Sequence, residues 1–170
     1  RFAMLSGHYR APLDWTEDLL KQAKATLDRI YGALRRVWDA DIVELNPEAH
    51  DRVLFALQND LNTPQALADL SSMANEAHLF SNRGDQQSRA YARASLIAAG
   101  NLLGLLQSTP DEWEKGTDTD DTARIDELVA ARDAARAIKN WSEADRIRDE
   151  LASEGIEIMD GPDGASWRRV

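Results

Sequence analysis

The sequence predicts a mainly α-helical protein: an antiparallel four-helix bundle followed by a small α+β tail of two helices and a β-hairpin. Three observations lead to this prediction. Apolar residues recur at helical spacing through residues 14–108, which is typical of amphipathic helices. Short breaks containing Pro, Asn or Gly divide this pattern into four segments. After an acidic stretch, residues 123–170 change from helical spacing to strand-like alternation around a turn rich in Gly, Pro and Asp.

The first two helices of the bundle have recognisable starts. Asp14-Trp15-Thr16-Glu17 has the pattern of a capping box with Asp14 as the N-cap. Apolar residues then recur at helical spacing as far as Trp38. Asn46-Pro47 is expected to open the second helix, because proline suits the first helical position.

The third and fourth helices each follow a short turn. Asn62-Thr63-Pro64 is expected to end the second helix and to cap the third, whose apolar face extends to Phe80. Asn82-Arg83-Gly84-Asp85 is a predicted turn, and the fourth helix is expected to continue to Gln107. Short turns place consecutive helices antiparallel, which gives the predicted bundle over residues 14–108.

The net charge of −10 is unevenly distributed. Half of it lies in residues 111–121, which contain one lysine and six acidic residues. The surrounding segment, residues 109–122, has no apolar periodicity and is predicted to be an acidic, exposed linker. Because neutralising phosphates needs Lys and Arg, the composition does not predict a general polyanion binder. Any contact with nucleic acid has to be local, through base edges and stacking.

The tail is predicted to contain two helices and a hairpin. The first helix is expected to break at Lys139-Asn140-Trp141, and Ser142 is the predicted N-cap of the second. Gly155 is expected to stop this helix. Ile156-Glu157-Ile158-Met159 alternates like a strand. The turn-forming residues 160–164 would then return the chain into a second strand.

Several kinds of chemistry are absent from the sequence. The chain has no cysteine, which excludes disulfides, thiol catalysis and cysteine-based zinc sites. Its three histidines lack the spacing of metal ligands, and the sequence contains neither a Gly-rich phosphate loop nor a nucleophile motif. No run approaches the ~20 apolar residues that span a bilayer. We therefore predict no catalytic residue, no metal site and no cofactor in this chain.

Three stretches resemble, in the same order, motifs of the cysteinyl-tRNA synthetase family. Leu5-Ser6-Gly7-His8-Tyr9-Arg10-Ala11-Pro12-Leu13 resembles the segment just after the catalytic half of these enzymes. Asn59–Leu67 resembles the start of a helix in their anticodon-side bundle, and Ala130–Arg169 resembles their tail. The sequence departs from the family's usual residues at three positions: Ala11, Leu61 and Asn140. In this order, over nearly the whole chain, the motifs are specific.

The resemblance implies the C-terminal part of a class I enzyme that joins cysteine to its tRNA using ATP. The bundle would be the anticodon-binding type of class I synthetases. The catalytic domain, which would bind ATP and hold zinc, would lie before Arg1, and residues 1–13 would be the remnant of the junction to it. This part would hold the tRNA for cysteine, would be inactive alone, and would belong to a cytoplasmic, monomeric protein with no membrane partner.

The resemblance also implies which residues contact the first anticodon base, a guanine. Trp141 would stack under it, and Arg136 and Asp145 would contact its edge. The residues themselves leave two other interpretations open. The tryptophan could pack at a hinge between helices, and Asp145 could form a surface ion pair with Arg148 or Arg146.

Three further tail residues are implied in tRNA binding. Asp160 would contact the middle base, a cytosine whose amino group needs an acceptor. Its other interpretation is an Asx turn at the start of the hairpin loop. Trp167 and Arg168 would add stacking and a phosphate contact, or would instead close the hairpin.

Four arginines of the bundle are candidate contacts to the tRNA stem, although their spacing favours solvated helix faces: Arg35, Arg36, Arg89 and Arg93. His8-Tyr9-Arg10 is expected to pack the bundle against the catalytic domain or to touch the tRNA. Two other functions stay open for the chain. One is a related cysteine ligase that acts on an amino-sugar and has no anticodon tail. The other is a helical protein-interaction module that binds no RNA, which the acidic charge favours.

Overall fold

The computed structural model describes residues 1–41, 43, 51–82, 85–116, 119–161 and 164–169. The chain divides into two compact units, Arg1–Pro110 and Asp111–Val170. Three features predicted from the sequence lie outside the described residues: the helix start at Asn46-Pro47, the turn residues Arg83-Gly84, and the loop residues Pro162-Asp163. Across the described ranges, no helix is both long and apolar enough to cross a membrane.

The regular elements of the first unit are all helices within its described residues. Its helices are α1 (Phe2–Leu5), α2 (Glu17–Arg36), α3 (Asp51–Gln58), α4 (Thr63–Ser81) and α5 (Gln86–Leu102). Helix α4 packs against α2, α3 and α5 and is therefore the centre of the bundle. The predicted bundle is confirmed by α2 to α5, while the short α1 was not predicted.

The core of the first unit forms around one face of α4. This face repeats every three or four residues, as an amphipathic helix requires, and its buried members are Ala66, Leu67, Leu70, Met73, Ala74 and Ala77. Three of them are alanines, whose small side chains allow neighbouring helices to approach closely. Ile30 and Leu34 of α2, Val53 of α3 and Leu96 of α5 are fully buried in the same unit.

Two ends of these helices differ from the prediction. Helix α2 is capped by Thr16 and not by Asp14, because the Thr16 hydroxyl accepts the Leu19 amide at 3.1 Å. Helix α5 ends at Leu102 and does not continue to Gln107. It stops there in a Schellman motif, in which the amide of Leu105 donates to the Gly100 carbonyl at 2.8 Å while Gly104 adopts a φ of +62°.

The second unit contains three helices and a hairpin among its described residues. They are α6 (Pro110–Lys115, which begins at the boundary), α7 (Thr119–Ala137), α8 (Trp141–Ser153), β1 (Ile156–Gly161) and β2 (Gly164–Arg169). The strands are antiparallel, with Ile156 opposite Arg169 and Gly161 opposite Gly164. The two predicted helices and the hairpin are confirmed, and Gly155 ends α8 with a φ of +76°.

The segment 109–122, predicted to be a linker, contains helix α6 and the first residues of α7. The helix at Pro110–Lys115 was not predicted. Proline suits the first helical position, and Asp111, Glu112 and Lys115 have the signs of charge that a helix dipole favours at its two ends. This short helix was not evident from the sequence, because its mostly acidic residues show no apolar periodicity.

The second unit has its own core, built from α7, α8 and both strands. Its buried members are Ile125, Val129, Ile147, Leu151, Ile156 and Trp167. Helix α7 packs against α8 and β2, and α8 packs against β1. One face of the hairpin is thus covered by the two helices.

Candidate functional site

The junction between α7 and α8 presents Trp141 at the surface. Helix α7 ends in a second Schellman motif: the amide of Asn140 donates to the Ala135 carbonyl at 2.8 Å, and Lys139 adopts a left-handed φ of +61°. Asn140 then caps α8, since its side chain accepts the Glu143 amide at 3.4 Å. The prediction that Ser142 caps α8 is wrong, because the Ser142 hydroxyl donates to the Asn140 side chain at 3.0 Å.

Trp141 is the first residue of α8, and 57% of it is exposed. A tryptophan that packs a hinge between two helices would be buried, so the exposure argues against that interpretation. An exposed indole at a helix start can offer a flat face to an unpaired base. The role in stacking that the resemblance implies stays a prediction.

Asp145 lies one helical turn after Trp141, so the two side chains share one face of α8. The Arg148 guanidinium pairs with Asp145 at 3.0 Å, which is one of the surface pairs left open by the sequence. The other does not form among the described contacts, because Arg146 pairs with Glu143 at 2.7 Å and with Glu150 at 2.8 Å. An exposed ion pair contributes only about 0–1 kcal/mol, so a base could displace Arg148.

Asp160 is held by two arginines of α7. Arg132 donates to both carboxylate oxygens, from Nη1 to Oδ1 at 2.8 Å and from Nη2 to Oδ2 at 3.2 Å. Arg136 Nη1 lies 2.7 Å from Oδ1. The hydrogen bonds from Arg132, and then those from Arg136, lower the pKa of Asp160 to about 2. The two predicted base contacts, Arg136 and Asp160, are therefore brought together, and the Asp160 carboxylate is bound by two arginines of α7.

Arg132 is the residue of this cluster that the sequence did not single out. Its side chain is only 9% exposed, which is unusual for arginine. The hydrogen bond to Asp160 is the main reason that the pKa of Arg132 is raised, and Asp145 adds to it by its charge. Asp145 is therefore close enough to act on this cluster electrostatically. The sequence feature that could have pointed to Arg132 is its four-residue spacing from Arg136, because that spacing places both side chains on one face of α7.

Trp167 is not available for stacking, which corrects the prediction for this residue. It is 2% exposed and belongs to the core of the second unit. Its indole Nε1 donates to Asp126 at 2.6 Å, and the Lys115 ammonium lies 5.1 Å from the ring centroid. Trp167 therefore has the alternative role, in which it closes the hairpin. Arg168 is exposed but donates to Glu157, directly across the hairpin, at 2.7 Å.

Two of the four candidate stem contacts also join helices within the bundle. Arg89 is only 19% exposed and bonds Asp39 and the Arg36 carbonyl, which joins α5 to the end of α2. Arg93 donates to the Ala40 carbonyl at 2.6 Å and stacks over the Trp38 ring at 4.5 Å. Both arginines therefore satisfy carbonyls at or just after the end of α2, and a stem contact stays a prediction for them.

Arg36 lies in a groove between α2 and α4. The groove lining contains no acidic residue within the described part of the chain; it consists of Arg29, Gly32, Ala33, Arg36, Ala74, Asn75 and His78. Arg29, Arg36, Asn75 and His78 are exposed, whereas Arg35 is half-buried and is not among the lining residues. The sequence prediction missed Arg29 and His78. Arg29 is one turn before Gly32 and two turns before Arg36, a spacing that would have placed it on the same face.

The segment His8-Tyr9-Arg10 converges on one carboxylate of the same unit. Tyr9 Oη donates to Asp60 Oδ1 at 2.8 Å, and Arg10 Nη2 lies 3.1 Å from the same oxygen. The hydrogen bond to Asp60 is the main reason that the pKa of Tyr9 is raised. Asp60 and Leu61 both adopt a left-handed φ between α3 and α4. This contact fastens the start of the chain to that turn; the expected packing against another domain stays a prediction.

The described residues contain no cluster of three or more histidine, cysteine or acidic side chains placed to hold a metal ion. Two family models match the chain: the cysteinyl-tRNA ligase anticodon binding domain over residues 118–168, and the DALR domain over residues 52–107. The cysteine–tRNA ligase of Hyphomonas neptunium is 61% identical over 171 residues, which is 100% of this chain and 36% of that protein. Over its whole length, the chain is similar to about a third of a cysteine–tRNA ligase.

Two other relatives give the same result. The cysteine–tRNA ligases of Caulobacter vibrioides and Parvibaculum lavamentivorans are 47% identical over 169 residues and 46% identical over 171 residues. Each alignment covers 99% of this chain and 36% of the relative. The chain thus spans about a third of the length of these relatives. The match at 118–168 includes every tail residue discussed above, from Arg132 to Arg168.

Proposed function

We propose that this chain binds the tRNA for cysteine and positions it for a cysteine–tRNA ligase whose catalytic domain lies outside this chain. One observation supports this most strongly. The segment that matches an anticodon binding domain contains an exposed tryptophan, Trp141, at the start of α8. It also contains an exposed aspartate one turn later, Asp145, and the ion pair between Arg136 and Asp160. This is a stacking plane beside groups that bond base edges.

The chemistry of each residue suits one part of the anticodon. Stacking of a base on the Trp141 indole would be worth about 1–3 kcal/mol. Asp145 would accept hydrogen bonds from the ring N–H and amino group of guanine. Asp160 would accept one from the cytosine amino group, and Arg136 would donate to a base acceptor or a phosphate. Arg168 would add a phosphate contact, for which it has to leave Glu157.

The groove between α2 and α4 would contact the stem of the tRNA. Arg29 and Arg36 have no carboxylate partner among the described residues, and His78 lies beside them. The small side chains of Gly32 and Ala74 leave room for a phosphate chain to approach the backbone. In a chain of net charge −10, such a local basic groove is what an RNA strand would select.

The complete protein would attach cysteine to this tRNA with ATP, in the cytoplasm, and as a monomer. ATP and zinc would be bound by its catalytic domain. The contacts of Tyr9 and Arg10 with Asp60 would stiffen the connection to that domain. The match to an anticodon binding domain over residues 118–168 counts against a related cysteine ligase without an anticodon tail. The acidic net charge favours a protein-interaction module instead, and the experiment below separates that function from RNA binding.

The test is to titrate the chain with an RNA hairpin that carries the cysteine anticodon. Trp141→Ala and Asp145→Ala should each weaken binding by about 5- to 100-fold, because each removes about 1–3 kcal/mol. Trp15→Ala is the matched control for the first, since Trp15 is also 57% exposed. Asp149→Ala is the control for the second, since Asp149 also pairs with Arg148. If Trp141→Ala and Asp145→Ala bind as well as the parent, the anticodon proposal is wrong.

A further inference from the structure

We propose that Arg132 is a positioning residue that fixes the Asp160 carboxylate for the middle anticodon base, while Arg136 remains exchangeable for contact with the RNA. This inference rests on the proposed function and adds a specificity-determining residue to it. Arg132 need not touch the RNA, because its guanidinium is almost enclosed by protein.

The two arginines on Asp160 differ in burial. The Arg132 side chain is 9% exposed, whereas that of Arg136 is 40% exposed. Arg132 Nη1 also bonds Asp133 Oδ1, at 3.3 Å. A nearly buried guanidinium that lost its bidentate partner Asp160 would keep only this longer contact, which is unfavourable. Arg136 can instead exchange Asp160 for water or RNA. The buried arginine is thus the fixed partner and the exposed one is the exchangeable partner.

The hairpin register shows that α7 holds both strands at this position. Asp160 of β1 lies directly opposite Ala165 of β2. Arg132 binds the Asp160 carboxylate, and the next residue, Asp133, accepts the Ala165 amide at 3.1 Å through Oδ2. Two consecutive residues of α7 therefore hold the two members of one cross-strand pair. The position of the Asp160 carboxylate is set by α7 as well as by the hairpin loop.

The Asp160 carboxylate keeps acceptor capacity in this arrangement. Two carboxylate oxygens offer about four lone-pair sites. Arg132 and Arg136 each bond Oδ1, and Arg132 also bonds Oδ2. The side chain is 52% exposed, so among the contacts of the described residues one site of Oδ2 is left for a donor from solvent or RNA. Cytosine supplies such a donor through its N4 amino group, whereas uracil has a carbonyl oxygen at that place and would be repelled.

The bidentate bond also limits which way the carboxylate can turn. A carboxylate held through both oxygens by one planar guanidinium cannot rotate about its last bond without breaking a hydrogen bond. When RNA arrives, Arg136 can leave Oδ1 for a base or a phosphate, and Arg132 still holds Asp160 in place. Discrimination at the middle base therefore depends on Arg132, and discrimination at the first base does not.

The experiment compares three RNA hairpins with the same stem, in which the anticodon is GCA, GUA or ACA. For each variant of the chain, the ratio of dissociation constants for GUA and GCA measures discrimination at the middle base, and the ratio for ACA and GCA measures it at the first base. The parent is expected to discriminate by about 5- to 100-fold at each base. In Arg132→Met the middle-base ratio should fall towards one while the first-base ratio stays within about twofold of the parent.

Two further variants keep the result decisive. Arg132→Lys retains the charge but not the planar fork, and it should give an intermediate middle-base ratio even if Arg132→Met fails to fold. Arg124→Met is the matched control, because Arg124 is also on α7 and also pairs with a carboxylate, that of Glu154. It should leave both ratios unchanged.

Three outcomes would contradict the proposals, and they can be told apart. A parent chain that binds none of the hairpins, or binds all three equally, overturns the proposed function itself. A discriminating parent whose middle-base ratio is unchanged in Arg132→Met overturns only the role of Arg132. Equal loss of both ratios in a folded Arg132→Lys also overturns it, since that is the result of a purely structural contact.

Discussion

Asp160 and Arg132 share two hydrogen bonds, at 2.8 and 3.2 Å, that join β1 to α7. This relationship makes the stability of the second unit depend on pH. The two arginines lower the pKa of Asp160 to about 2 in the folded chain, whereas an unfolded aspartate has a pKa near ~3.9. A lowered folded pKa means stabilisation that is complete above the unfolded pKa and is lost as the pH falls towards about 2.

We expect the difference in unfolding free energy between the parent and Asp160→Asn to be largest at neutral pH and to shrink between about pH 4 and pH 2. Urea unfolding of both proteins across this range measures it. Other carboxylates titrate in both proteins, so only the difference reports on Asp160. A difference that stays constant down to pH 2 would mean that the Asp160 carboxylate is not stabilised by its arginines.

Trp167 and Trp141 should respond in opposite ways to truncation. Trp167 is buried in a core of few residues, so Trp167→Ala should cost about 3–5 kcal/mol. A unit of this size has little stability to spare, so the variant is expected to unfold the second unit and to leave the helical bundle folded. Trp141→Ala removes an exposed side chain and should change the free energy of unfolding by less than about 0.5 kcal/mol.

Far-UV circular dichroism and amide NMR spectra of the two variants check this pair of expectations. The bundle residues give a control within each sample, because their resonances should be unchanged in both. If Trp141→Ala destabilises the second unit as much as Trp167→Ala does, then Trp141 is a packing residue and its loss of RNA binding has no separate meaning.

Local patterns in the sequence were enough to predict the helices and the hairpin. Helical periodicity and N-cap residues depend on neighbours within four residues, and they gave α2 to α5, α7 and α8. The exposure of Trp141 also followed locally, because it lies at the break after Lys139 and away from an apolar stripe. Helix α6 was missed because its start depends on a proline and on charges and not on apolar spacing.

Contacts between distant residues were not predictable in the same way. The hydrogen bonds between Arg132 and Asp160 join residues 28 positions apart, and nothing in a single sequence shows that an arginine of an amphipathic helix is buried. The same is true of Arg89, which satisfies carbonyls at the end of α2. Trp167 could have been placed inside, because alternation along β2 puts it on the same face as Ala165 and the register sets it opposite Ile158.

Replacement of Lys139 by glycine should stabilise the second unit. Lys139 adopts a left-handed φ of +61° where α7 ends, a conformation that is unfavourable for any residue with a Cβ. Lys139→Gly removes that penalty, although glycine loses more freedom on folding, so the net gain should be about 0.5–1 kcal/mol. Lys139→Ala is the control, since it removes the charge but keeps the Cβ. Equal gains for glycine and alanine in thermal unfolding would show that the backbone conformation is not the cause.

The groove between α2 and α4 can be tested by the salt dependence of binding to full-length tRNA. If Arg29 and Arg36 contact phosphates, Arg29→Gln and Arg36→Gln should each weaken binding several-fold and reduce the salt slope by about one. Arg52→Gln is the matched control, because it makes the same change in net charge at an arginine whose partner is Glu76, 2.8 Å away. All three variants should keep the parent's stability, since these side chains are exposed. An Arg52→Gln slope that falls as far as the other two would show that only net charge matters, which would leave the groove without a specific role.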